Sequence, residues 1–215
     1  MVSGGMDSCV SAAFAIADGY QIAFLHVNYR QLTEKRELQA FHAIGDYYDV
    51  KERIVIDLIH LATIGGSCLT DKSIKVPNTK LDNLDIPVSY VPFRNANILA
   101  ATVSWAEVIN ANAIYVGAVE EDSSGYPDCR RTFFDAYEKV ISDGTKPETV
   151  ISIVTPLINL SKKEIVKVGL EMKAPLHLSW SCYKQEDIPC GKCDSCALRS
   201  RGFRRAGIRD PLDPC

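Results

Sequence analysis

The chain has 215 residues, 47% hydrophobic and 24% charged, with a net charge of −3. That is enough apolar side chain for the core of one α/β domain with a small appendage, and the slight acidity argues against general nucleic-acid binding. No apolar run approaches the roughly 20 residues that cross a bilayer.

In chain order, Val2 reads as the end of a strand and Ser3-Gly4-Gly5-Met6-Asp7-Ser8 as a tight turn into a helix, followed by a small-residue apolar run over 11–16. A helix N-terminus offers unpaired N–H groups and the positive end of the dipole, which suits an anion. Two glycines let backbone approach that anion closely, and Ser3 and Ser8 add hydroxyls. Asp7 would repel phosphate, so it fits a helix cap or a ligand for a metal that travels with phosphates. The competing reading is a capped Gly-Gly turn that binds nothing.

A strand is predicted over 21–28, a helix over 34–48 and a strand over 51–57. Residues 58–87, with Gly65-Gly66 and Pro77, break the pattern and predict a long loop with short helices, of the kind used as lids. A helix over 96–110, a buried strand over 113–117, a helix over 131–141 and a strand over 150–154 follow. Ser161-x-x-Glu164 is a capping box opening a helix that ends near Met172. Such alternation predicts a doubly wound, mostly parallel sheet with helices on both faces, and ligands at the carboxyl ends of its strands. Residues 1–175 are taken as the phosphate-binding α/β domain and 176–215 as a metal-binding segment packed on it.

Polar strings fall in the loops that should meet there. Arg94 and Asn95, before the long helix, suit a phosphate or carboxylate, or cap that helix. The segment from Glu120 through Glu121, Asp122, Gly125, Tyr126, Pro127, Asp128, Cys129 and Arg130 is a constrained acidic turn. A carboxylate there can read the paired N–H groups of a guanine-like ring. Asp128 is the first candidate, Glu121 and Asp122 the alternatives, with Tyr126 to stack and Arg130 beside them. Cys129 has no partner histidine nearby and is taken as a buried thiol.

Cys182, Cys190, Cys193 and Cys196 fall within fifteen residues. Four thiolates close a tetrahedral Zn²⁺ site with no open position, which makes the metal structural. An iron–sulfur cluster is the rival. The other cysteines, Cys9, Cys68, Cys129 and Cys215, show no pairing by spacing. Eight cysteines and no visible signal peptide predict a cytoplasmic protein.

These motifs occur in one order: the phosphate loop, Val-Pro-x-Arg-Asn, Ser124-Gly125-Tyr126-Pro127-Asp128-Cys129-Arg130, Thr155-Pro156-Leu157-Ile158, Leu160-Ser161-Lys162-Lys163-Glu164-Ile165, and Trp180-Ser181-Cys182-Tyr183 running into Pro189-Cys190-Gly191-Lys192-Cys193-Asp194-Ser195-Cys196. Over essentially the whole chain the set resembles the QueC (7-cyano-7-deazaguanine, preQ0, synthase) family of PP-loop ATP pyrophosphatases. The resemblance implies an ATP-dependent ligase that joins ammonia to 7-carboxy-7-deazaguanine. It places ATP on Val2, Ser3, Gly4, Gly5, Met6, Asp7, Ser8 and Cys9, and one zinc on the four cysteines. It also implies a homodimer acting on small molecules, with no nucleic acid or membrane partner. The family has a complete strand before the first loop, and a glycine and a basic residue where Arg30 and Leu32 stand.

The chemistry then calls for adenylation of the carboxylate, an amide intermediate, a second activation and elimination to the nitrile. Mg²⁺ is expected on the phosphates. Asp7, Arg94, Lys162 and Arg130 are the catalytic candidates, with no covalent enzyme intermediate. The rivals are a tRNA-thiolation ligase, for which Arg199, Arg201, Arg204, Arg205 and Arg209 would serve RNA contact, a related ligase using another amine, and a zinc-stabilised nucleotide-binding module.

Overall fold

The structure is a computed structural model that describes residues 1–78, 86–120 and 125–213. Helix α1 (Met6–Ala17) leads to strand β1 (Phe24–Asn28), helix α2 (Glu34–Tyr47) and strand β2 (Arg53–Asp57). Then come the short α3 (His60–Ile64), α4 (Arg94–Val108), β3 (Ala113–Tyr115), a 3₁₀ turn at Pro127–Cys129, α5 (Arg131–Gly144), β4 (Ser152–Val154), α6 (Lys162–Glu171) and α7 (Asp194–Ala206). Among the described residues no helix is long and apolar enough to cross a membrane.

The strands form two parallel pairs. β1 lies on β2 from Phe24 opposite Arg53 to Asn28 opposite Asp57, and β3 lies on β4 from Ala113 opposite Ser152 to Tyr115 opposite Val154. Residues 1 and 2 stitch the pairs together. The Val2 N–H donates to Leu25 O at 2.8 Å, and the Met1 nitrogen donates to Tyr115 O at 2.9 Å. The result is a mixed α/β fold built on parallel strands, with α2 and α5 as crossovers.

β1 is apolar along most of its length because both faces are covered, as parallel sheets require. Phe24 joins Phe41 of α2 in the core shared with α1 and α6, whereas Leu25 and Val27 face a cluster with Leu61, Leu69 and Val91. Part of the long 58–87 loop is thus packed beneath β1, and Leu32 N–H donates to Leu69 O. Residues 79–85 of that loop lie outside the described residues.

The strands are shorter than the sequence predicts. Residues 21–23 have no partner because β2 begins only at Arg53, and 150–151 precede the start of the β3–β4 ladder. α4 starts two residues early because a carboxylate from the 3₁₀ turn accepts its Asn95 N–H. The capping box forms as read: Ser161 Oγ accepts Glu164 N–H and the Glu164 carboxylate accepts Ser161 N–H. Helix α7 was not expected. It buries Cys196, Arg199, Gly202 and Phe203 along one face, and Gly207 ends it with φ of 74°.

Candidate functional site

A cleft of ≈ 290 Å³ opens at the carboxyl ends of β1 and β3. Its floor is the first loop. Gly4 has φ of +87° and sits where a Cβ would lie 2.5 Å from Glu37 O, so only glycine fits. Ser8 Oγ donates to Gly5 O at 3.0 Å and accepts Ser3 N–H at 3.2 Å, which folds the loop over the start of α1. No side chain caps α1, so its first N–H groups face the cleft. Val2, Ser3, Gly5, Met6, Asp7 and Ser8 line it, whereas Cys9 is fully buried in the core behind.

Two elements hold this loop from outside. Gly117, just past β3, lies where a Cβ would meet Asp7 C and Ser8 N at 2.7 Å. From the other side Trp180 N–H donates to Gly4 O at 2.8 Å. Lys162, the first residue of α6, reaches in and donates to Asp7 Oδ2 at 2.7 Å. Its side chain is only 10% exposed. Asp7 Oδ1 is buried without a hydrogen-bond partner.

The opposite wall is aromatic. The Arg94 guanidinium lies 5.8 Å from the Tyr29 ring centre and 5.9 Å from that of Tyr126, and donates to Tyr29 Oη at 3.2 Å. Tyr126 hydroxyl pairs with Ser89 Oγ at 2.9 Å, and Tyr183 also lines this wall. Burial pushes the Tyr29 phenol up to about 12 and the Cys129 thiol up to about 11, so both stay protonated at neutral pH.

The structure separates the other candidates. Asp128 is buried outside the lining; its Oδ2 caps α4 by accepting Asn95 N–H at 2.9 Å, and its Oδ1 has no partner. Arg130 is exposed and also outside the lining. Its neighbour Arg131 turns inward instead, donating to Thr155 Oγ1 at 2.7 Å while Glu120 accepts its backbone N–H. Glu121 and Asp122 lie outside the described residues.

Sequence reasoning missed several lining groups. Glu37 Oε1 accepts from Thr33 Oγ1 at 2.7 Å and Oε2 from Gln31 Nε2 at 3.1 Å. Burial raises its carboxyl above the ordinary range. Its signal, a glutamate on a charged helix, looks like a solvated face. Trp180 is 3% exposed, stacks under Arg36 at 4.5 Å and has an unpartnered Nε1. Arg199, read as part of a basic tail, is buried in a bidentate pair with Asp210 (2.7 and 2.9 Å) and also donates to Ser179 Oγ and Leu176 O.

Behind Trp180 the sulfurs of Cys182, Cys190, Cys193 and Cys196 all lie within 4.8 Å of one another. A tetrahedral Zn²⁺ with bonds of ≈ 2.3 Å sets its sulfurs about 3.8 Å apart, and Cys190 and Cys196 stand at 4.0 Å. Backbone N–H groups of Lys184, Gln185 and Cys190 are directed at Cys182 Sγ, and those of Lys192 and Cys193 at Cys190 Sγ. Such donors stabilise thiolate charge, so the donor set fits a metal ion and is consistent with zinc.

The family model described as "Queuosine biosynthesis protein QueC" matches residues 1–207. Proteins named 7-cyano-7-deazaguanine synthase are similar over 99% of this chain and 94% of their own length: 59% identical in Chlorobium phaeobacteroides, 58% in Chlorobaculum parvum and 57% in Chloroherpeton thalassium.

Proposed function

Because the chain belongs to the QueC family, we propose that it is an ATP-dependent ligase that makes 7-cyano-7-deazaguanine from 7-carboxy-7-deazaguanine and ammonia, for queuosine biosynthesis. The observation that carries the reading is one cleft in which the Ser3–Ser8 loop and Lys162 face the Arg94 and Tyr126 wall. A doubly wound PP-loop arrangement is the fold we assign, supported by residues 1 and 2 bridging the parallel pairs. We divide it at 175/176, with the C-terminal segment packed on the α/β domain, a reading supported by Gly202 of α7, whose added Cβ would lie 2.9 Å from Lys162 Cβ.

The open N–H groups of α1 and its loop, with Ser3, hold the ATP phosphates. Lys162 lies beside them, placed to offset charge that develops as pyrophosphate leaves. Asp7, whose Oδ1 is buried and unpaired, is the residue that would hold Mg²⁺, which would supply further neutralisation of phosphate charge. Arg94 orients the substrate carboxylate, and Tyr126 and Tyr29 flank the ring. Glu121 and Asp122 remain the carboxylates proposed for its N–H edge, since they follow the lining residues Ala118 and Val119. Asp128 acts behind them as the cap that positions Arg94 and Asn95.

Zinc on the four cysteines is structural in this account. Bound there, it would fix the loop whose Trp180 N–H donates to Gly4 O. The partners we assign are small molecules without nucleic acid, a reading supported by the net charge of −3 and by Arg199, one of the five tail arginines, being buried against Asp210. A homodimer is what the family resemblance implies, and a cytoplasmic location is the reading that eight cysteines without paired spacing suggest. The test is nucleotide analysis. Addition of 7-carboxy-7-deazaguanine must release AMP and pyrophosphate from ATP, and release of ADP would overturn the reading.

A further inference from the structure

The ligase reading carries a requirement that none of the groups above meets. All three hydrogens of ammonia must leave nitrogen as protons before a nitrile exists. One departs when the amine displaces AMP, and two when the activated amide eliminates it. A base must stand beside the reacting carbon.

Glu37 stands there. Its own carbonyl abuts Gly4 of the phosphate loop, so its helix is in contact with the site of phosphate chemistry, and its side chain lines the cleft. Thr33 and Gln31 each donate to one carboxylate oxygen, and Gln31 is itself fixed by accepting Tyr29 N–H at 2.8 Å. The carboxylate is thereby oriented with a lone pair free on each oxygen. Among the described residues lining the cleft there is no histidine, and the one other carboxylate, Asp7, is tied to Lys162. Tyr29 and Cys129 hold their own protons too tightly to accept at neutral pH.

We propose that Glu37 is the proton acceptor of both amination and nitrile formation, an inference that rests on the ligase reading. In the first half the ammonia lone pair attacks the acyl carbon. The C–O bond to AMP breaks with its electron pair leaving on AMP, and the surplus N–H proton passes to Glu37. In the second half the amide oxygen attacks the α-phosphate and pyrophosphate leaves. Once the amination proton has been released to solvent, two N–H protons pass in turn to Glu37, each released to solvent in its turn so that the carboxylate is free to accept the next, while C≡N forms and the C–O bond breaks to free AMP. Burial favours the protonated form of Glu37, as does the neighbouring Glu34; Thr33, Gln31 and Arg94 pull the other way. Tyr29 also faces it and is neutral at working pH.

The test splits the reaction. In Glu37→Gln, nitrile formation should fall by about 100-fold or more, and the acidic limb of the rate–pH profile, taken at constant free ammonia, should vanish. Pyrophosphate release supported by the carboxylate alone should fall far less. Glu37→Asp, which keeps the charge and controls for folding, should recover part of the rate and the acidic limb. Parallel loss of pyrophosphate release and nitrile, or a raised KM for the heterocycle at unchanged kcat, would make Glu37 a binding residue and overturn the proposal. Wild-type turnover with an unaffected variant removes the role of Glu37 alone. A wild-type protein that forms no nitrile removes the ligase reading and this role with it.

Discussion

Asp7 is held at one oxygen by Lys162 and unpaired at the other, and Ser8 ties the turn on which it sits. Asp7→Ala and Ser8→Ala should each weaken ATP binding or turnover by at least tenfold, about 1.4 kcal/mol, with the fold intact by circular dichroism. Unchanged kinetics in both would remove ATP from this loop. Glu37 makes a second prediction at this scale. Its folded carboxyl lies above the ordinary 4.5, so the folded state binds that proton more tightly than the unfolded state does. Its contribution is fully present below the unfolded value and is lost as pH rises through the folded one. Glu37→Gln should therefore gain in melting temperature relative to wild type as pH rises from the unfolded value of 4.5 through the raised folded one. A constant difference across that window would contradict the shift.

At the scale of elements, Gly117 and Trp180 are the clamps on the phosphate loop. Gly117→Ala would press a methyl against Asp7 and Ser8 backbone, where neither side is a flexible chain end. We expect a loss of about 1–3 kcal/mol in denaturant unfolding together with weaker ATP binding; a neutral variant would show that α1 and β3 slide freely. For the C-terminal segment, Cys193→Ser should release zinc, raise hydrogen exchange from 181 to 201 and lower turnover by freeing Trp180, while the α/β core stays folded. Iron with sulfide in metal analysis, or full zinc retention in the variant, would refute the site. The loop and the cysteines were legible because each is a contiguous motif whose chemistry is local. Helix α7 was not, because its cysteines and arginines resemble a metal loop and a solvated tail. Its Cys196, Arg199, Gly202 and Phe203 make one face only when α6 and Asp210 are there to cover it. The contact of Trp180 with Gly4, and of Glu37 with the same glycine, joins segments that no spacing in the sequence relates.

For the whole molecule, the parallel pairs, the loop at their carboxyl ends and the four-cysteine segment behind it build one cleft with the Ser3–Ser8 loop at one end and the wall of Arg94, Tyr29 and Tyr126 at the other. The central claim is that this cleft turns a carboxylate into a nitrile. The direct measurement is to supply ATP, 7-carboxy-7-deazaguanine and ammonium labelled at nitrogen, and to follow the heterocycle and nucleotides by mass spectrometry. The account predicts 7-cyano-7-deazaguanine carrying the label, with two AMP and two pyrophosphate formed per nitrile. Absence of labelled nitrile, or ADP in place of AMP, would contradict it.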